Sequence, residues 1–412
     1  MMEKLRQAGP VAALVLAILL AAQLGQLPET PSPSGDPPAV GDVFVGSDFR
    51  AVWIPYMSLD LSRTSNRHFG TFKAQFDALL AEVVRCGADT VIVHVRPFGD
   101  AMYRSTLFPW SHLLTGQQGQ DPGYDPLAYM VEAAHKAGLK IHAWINPLRI
   151  RSTGTPSKLA DSNVHSKWRS DNDPANDDWT VVTDTGIYLN PGRAEVRDYI
   201  IAGVEELVSN YDVDGVHLDD YFYPTQAESF DRAAYADYCA SVPAGETTLT
   251  LGEWRTDCIN RMVSGLYRAV KDCRSTVLFG ISPQGNRDNC AAMYADVKTW
   301  GTESGYVDYL CPQLYYPYEG TILPFTETAR AWREMVTAPE VALYGGLALY
   351  KAGDDTVDGG AWRAHDDMIR RQLYTLEECG YTGFALYSSE YLTAPQTADE
   401  MEAVRECLGG VG

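Results

Sequence analysis

The sequence predicts an α/β fold, a (β/α)8 TIM barrel carried by one domain, and three observations predict it. Short apolar runs alternate with amphipathic helical stretches from Phe49 to near the end of the chain. The apolar runs are continuous rather than alternating, as parallel strands buried on both faces require. Glycine stands between helix and strand at Gly87, Gly138 and Gly380, where a helix C-cap needs it. A doubly wound open sheet is the alternative, but no glycine-rich phosphate loop follows the first strand.

The N-terminal segment comes first. Residues 1–23 combine Lys4 and Arg6 with an apolar run over 11–22, shorter than the ~20 residues of a full span. They read as a secretory signal peptide, with an uncleaved signal anchor as the alternative. Residues 24–42 are rich in Pro and Ser and read as an extended linker. The barrel domain is assigned to 43–412.

Within it, the strands fall at 50–55 (RAVWIP), 90–95 (TVIVHV), 140–145 (KIHAWI), 215–219 (GVHLD), 277–282 (VLFGIS), 307–314, 341–347 and 382–387 (TGFALY). Between them, apolar residues recur at helical spacing in 72–84, 127–134, 195–211, 254–270, 325–336, 362–378 and 395–408. The loop over 146–192 is long, which inside a compact domain marks a functional or partly disordered segment.

Composition narrows the function. A net charge of −21 and a pI near 4.7 argue against nucleic acid as a partner. Aromatic residues make up 11% of the chain, 24 of them tyrosine, which fits a ring-lined polar cleft. The eight cysteines form no CxxC pair and no zinc-spaced cluster with histidine. Neither a metal nor a cofactor is expected. Cys239, Cys258, Cys273 and Cys290 are disulfide candidates if the chain is exported, and cysteines in apolar runs such as Cys86 and Cys311 read as buried thiols. There is no G-x-S-x-G elbow for serine hydrolysis.

Chemistry concentrates at the strand ends, where a barrel places its site. The fourth strand ends on Asp219 and Asp220, followed by Tyr221, Phe222, Tyr223 and Pro224. Carboxylates supply acid, base or nucleophile, and rings cover the apolar faces of sugars. Successive strand residues point to opposite sides, so His217 and Asp219 share the interior, with His217 beneath Asp219 as its hydrogen-bond partner. Asp219 is the expected nucleophile or charge stabiliser. Glycoside hydrolysis needs a second carboxyl, about 5–5.5 Å away for retention or roughly 6.5–9.5 Å for inversion. Asp220, Glu319, Asp100 and Glu390 are the candidates, with Asp220 and Glu319 taken as catalytic and the other two as substrate-binding. Arg96 and Arg149 are placed to pair with Asp219 or to close a structural ion pair. With Arg96 and Arg149, Trp144, Asn146, His217, Tyr221, Gln313, Tyr315 and Tyr316 complete the predicted substrate-binding set. Trp53 and Tyr223 are further stacking candidates, and His94 and His142 read as interior residues.

The segments RAVWI, VRPFGDAMYRSTLFPWSHLLTG, AHKAGLKIHAWINPLRI, YLNPGRAEVRDYI, DGVHLDDYFYP, FGISPQG and DYLCPQLYY resemble, in order and spacing, those of the glycosyl-hydrolase-like family 10. The resemblance runs from about Phe49 to Tyr391. It implies a (β/α)8 barrel, glycoside hydrolase activity and, for some relatives, peptidoglycan glycan as substrate. The fourth strand also resembles that of the α-amylase superfamily, where an Asp in this position is the nucleophile, which carries over to Asp219. That superfamily's fifth-strand Glu has no counterpart, because Gly280 to Gly285 (GISPQG) stands there. The expectation is an exported, extracellular or cell-surface glycosidase acting on a polysaccharide, held to the membrane only if the N-terminal segment stays uncleaved. Its rivals are a non-catalytic glycan-binding barrel and a metal-dependent hydrolase.

Overall fold

The computed structural model describes residues 42–220 and 222–409. Among the described residues eleven strands occur in chain order: β1 (Arg50–Ile54), β2 (Thr90–Arg96), β3 (Lys140–Ile145), β4 (Arg149–Ser152), β5 (Thr180–Thr183), β6 (Gly186–Leu189), β7 (Gly215–Leu218), β8 (Leu278–Ile281), β9 (Tyr309–Leu310), β10 (Ala342–Leu347) and β11 (Gly383–Leu386). Eight of them close a barrel in the order β1-β11-β10-β9-β8-β7-β3-β2, every pair parallel. These are the eight strands that the apolar runs predict. Gly87, Gly138 and Gly380 take φ values of 84°, 77° and 80°, the left-handed turn that carries each helix into its strand.

The signal segment and nearly all of the linker lie outside the described residues. Among those described, no helix is long and apolar enough to cross a membrane.

Two further features depart from expectation. The long loop after β3 is ordered. It holds the helix Val164–Ser170 and a three-stranded antiparallel sheet, β4-β6-β5. Each strand is only four residues long, and β5 and β6 bury alternate side chains, too short a signal to read from periodicity. The helix expected over 362–378 is divided. A 3-10 turn covers Asp358–Arg363, and the α-helix begins at Met368, where Glu400 accepts hydrogen bonds from the backbone N–H groups of Met368 (2.6 Å) and Ile369 (3.0 Å).

Strand alternation creates two cores. Val52, Val93, Ile141, Val216, Leu218 and Ile281 point outward and pack against the helices. Ala51, Trp53, Ile92, Trp144, Tyr309, Tyr344 and Ala385 fill the barrel interior. Rings fit there because glycines oppose them. A Cβ at Gly280 would lie 2.0 Å from the Tyr309 ring, and one at Gly215 would lie 2.4 Å from the His142 ring.

The interior polar groups form a chain. The Trp53 indole N–H donates to His217 Nε2 (3.2 Å), so neutral His217 carries its proton on Nδ1 and donates to the Tyr309 hydroxyl (2.9 Å). That hydroxyl then donates to His142 Nδ1 at 3.0 Å. Burial keeps both imidazoles neutral, lowering His142 to about 4 and His217 well below its ordinary value. His217 therefore bonds to Trp53 and Tyr309, which corrects its expected bond to Asp219. All eight cysteines are free thiols, so the disulfide candidates are unpaired.

Candidate active site

β7 delivers Asp219 and Asp220 to the C-terminal mouth of the barrel. The segment after them is fastened by a buried ion pair. Arg255 donates to Asp231 through Nη2 (2.6 Å) and Nε (2.8 Å), and also to the carbonyls of Gln226 (3.1 Å) and Ala227 (2.8 Å). Tyr223 packs beneath, its ring 5.2 Å from the Arg255 guanidinium, and so is core rather than a stacking surface.

Asp219 is 5% exposed and leans toward β3. Its Oδ2 accepts from the Trp144 indole N–H at 3.1 Å and from the Asn146 amide. Two donors on one oxygen suit an ionised carboxylate. Trp144 is buried and stacks on His94 at 3.7 Å, so it orients Asp219 instead of offering an open face.

Asp220 faces the other way, toward β8 and β9. The Gln313 amide donates to its Oδ1 at 3.3 Å and to the Ser282 carbonyl at 3.1 Å. Gln284 also bonds to Asp220, its own Oε1 held by Asn289 at 3.1 Å. Burial, and then the neighbouring charge of Asp219, pushes the Asp220 carboxyl up to about 7. Adjacent carboxyls in opposed environments can divide the work of acid and base.

The remaining predicted residues scatter. A bulge between His94 and Arg96 puts Arg96 in register with Ile145, an outward position. Its guanidinium lies 4.3 Å from the Phe108 ring centre in the outer core, which corrects the expected pairing with Asp219. Arg149 reaches Asn146 Oδ1 at 2.7 Å and the Pro97 carbonyl at 2.9 Å. Asp100 is fully buried, accepting from His112 Nδ1 (2.8 Å), the His112 backbone N–H (3.3 Å) and Gln118 (2.9 Å), so it ties loops together beneath the rim. Glu319 is exposed on the bend after β9. Glu390, also exposed, accepts from the Ser58 hydroxyl at 3.1 Å. Tyr316 packs its ring over Gly285, and its carbonyl accepts from Gln372 at 3.0 Å. Tyr221 lies outside the described residues.

Tyr315 belongs to a wall of partly exposed rings. Its centroid is 5.8 Å from Tyr350 and 6.1 Å from Tyr387, and Tyr350 lies 6.2 Å from Tyr391. Tyr350 escapes sequence reasoning because its strand ends at apolar Leu347 and is followed by apolar Ala348 and Leu349. Position three residues past a strand end was its only signal. Gln284 was visible in the fifth-strand motif but carried no role there. Among the described residues, no group of three His, Cys, Asp or Glu side chains is arranged to hold a metal ion.

The model of the glycosyl hydrolase-like 10 family matches residues 48–364. The chain is 31% identical over 439 residues to glycosyl hydrolase DigH of Escherichia coli O6:H1, covering 99% of this chain and 98% of that protein. It is 35% identical over 345 residues to glycosyl hydrolase YngK of Bacillus subtilis, covering 79% of this chain and 64% of that protein. Among solved structures it is similar in fold to the PgaB (BpsB) glycoside hydrolase domain from Bordetella bronchiseptica. The TM-score is 0.57 at 13% identity, over 87% of this chain and 98% of that one.

Proposed function

Because the chain belongs to the glycosyl hydrolase-like 10 family, we propose that it is an exported glycoside hydrolase that cleaves a polysaccharide, with peptidoglycan glycan as the leading substrate. The observation that carries this reading is the divided environment of the carboxyl pair. Asp219 holds two N–H donors on one oxygen, while Asp220 is raised to about 7.

In the mechanism, protonated Asp220 gives its proton to the glycosidic oxygen as the bond to the anomeric carbon breaks. Asp219 meets the positive charge that develops on the sugar ring, as nucleophile or as stabiliser. Asp220, now ionised, accepts a proton from the water that completes hydrolysis. Gln313 and Gln284 keep the Asp220 carboxyl in place across both steps. The tyrosine wall covers apolar sugar faces, and neutral glycans suit the acidic chain better than polyanions. Export rests on the charged and apolar pattern of residues 1–23.

Purified protein given peptidoglycan, with and without stem peptides, is expected to release new reducing ends. Asp219→Asn is expected to abolish the release. Saturable glycan binding with no product would favour the non-catalytic barrel instead, and an Asp219→Asn variant with unchanged turnover would sink the assignment.

A further inference from the structure

The sheet that leaves the barrel after β3 carries a side chain that reaches back to the reacting pair. Arg149 is the first residue of β4, pinned by its pairing with Tyr188 of β6. Its guanidinium is fixed at three points: Nε on the Pro97 carbonyl (2.9 Å), the face of Phe98 (5.0 Å to the ring centre), and Nη2 on Asn146 Oδ1 (2.7 Å). A guanidinium only donates, so this contact identifies the Asn146 oxygen without ambiguity. His94 Nε2 lies 2.7 Å from the same oxygen and must donate to it as well. Both lone pairs of Oδ1 are thereby used, and Nδ2 is left to face Asp219 Oδ2.

We infer that Arg149 is a positioning residue for Asp219, acting through Asn146, and that the β4-β6-β5 excursion exists in part to hold it there. The inference rests on the glycosidase reading for its meaning, but its geometry does not. An amide free to flip would present Oδ1 to the carboxylate and repel it. Arg149 and His94 together forbid that flip, so the donor stays aimed at Asp219 whether or not a substrate is present. Among the described residues, the other charged or titratable groups on the elements around Asp219 include Asp220 and His217 from β7 and its end, His142 from β3, Tyr309 from β9 and Tyr315 after it. Arg96 is turned outward by its bulge.

Asn146→Asp is the discriminating variant. It is near-isosteric and keeps acceptors for Arg149 and His94, but it replaces the N–H that Asp219 receives with a second carboxyl oxygen and its negative charge. Two readouts follow, one with substrate and one without. In the first, kcat is expected to fall about 10- to 100-fold with little change in KM, and the acid limb of kcat/KM against pH to move up by about one unit. Arg149→Met should move that limb the same way, with Arg149→Lys recovering part of the loss. In the second, the Tm difference between the Asp219 and Asp219→Asn forms is followed against pH, which reports the titration of Asp219 together with the shift that its charge imposes on Asp220. Its midpoint should rise when Asn146→Asp is placed in both forms. Coincident midpoints and an unmoved acid limb would overturn the inference. A shifted midpoint in a protein with no turnover on any glycan would support it while removing the glycosidase reading.

Discussion

On the β2–β3 side of the barrel mouth the polar groups end on fixed donors: Arg149 on Asn146, Asn146 and Trp144 on Asp219, His94 on Asn146. On the β8–β11 side, neutral amides from Gln313 and Gln284 meet Asp220, and the lining beyond is tyrosine. The first side stabilises a charge, and the second tolerates a proton. Two residues adjacent in sequence acquire different chemistry because strand alternation turns them toward different neighbours.

The largest expected effect breaks the charged side. Asp219→Asn keeps the side-chain shape, but its amide must present either N–H to N–H or a weaker acceptor to Trp144 and Asn146. Turnover is expected to fall by about 10^3-fold or more, a loss of roughly 4 kcal/mol of transition-state stabilisation. Steady-state rates on the glycan that the wild type cleaves test this directly.

Breaking the other side should cost less and depend on the leaving group. Asp220→Asn is expected to lower kcat by about 10^2- to 10^4-fold on natural glycan, and far less on aryl glycosides that depart without a proton. The same variant makes a substrate-free prediction. A carboxyl raised to about 7 in the fold, above its ordinary 3.8, stabilises the protein fully only below the unfolded value. That contribution is lost as pH rises toward 7. The Tm of Asp220→Asn relative to wild type should therefore climb between about pH 4 and 7 and then level off. A flat difference would show that Asp220 titrates as an ordinary surface acid.

How much of this was legible follows from the range over which each signal acts. The barrel was readable because strands buried on both faces, such as β7, are continuous runs with only His217 polar between Gly215 and Leu218, and because Gly87, Gly138 and Gly380 mark the turns. Asp219 was readable because a charge at the end of such a run has no packing explanation. The placement of Arg96 was not, since alternation puts it beside His94 and a single bulge reverses it. Asp100 looked like a site acid from its loop, and only the fold brings His112 and Gln118 onto it. The partition of Asp219 from Asp220 depends on Trp144, Asn146 and Gln313, about 75, 73 and 93 residues away in the chain. No local pattern carries contacts at that separation.

A smaller change sharpens the proton-holding side. Gln313 donates to Asp220 and favours its ionised form. Gln313→Leu should raise the basic limb of the kcat/KM profile, because the acid then holds its proton to higher pH. The rate below that limb should change only a few-fold, since one neutral hydrogen bond is worth about 0.5–1.5 kcal/mol. A limb that moves down would mean that Asp220 is not the group losing its proton there.

The smallest effect tests whether the tyrosine wall binds sugar. Tyr350 sits between Tyr315, Tyr387 and Tyr391 and touches neither carboxyl, so its removal should leave both pH limbs in place. Tyr350→Leu keeps apolar bulk but loses the flat ring face. An aromatic contact of this kind is worth about 0.5–1.5 kcal/mol, which corresponds to a rise in KM of about 2- to 12-fold with kcat little changed. A fall in kcat without a change in KM would instead place the ring among the groups that act in the transition state, and the contrast between a charged side that does chemistry and a ringed side that holds substrate would have to be redrawn.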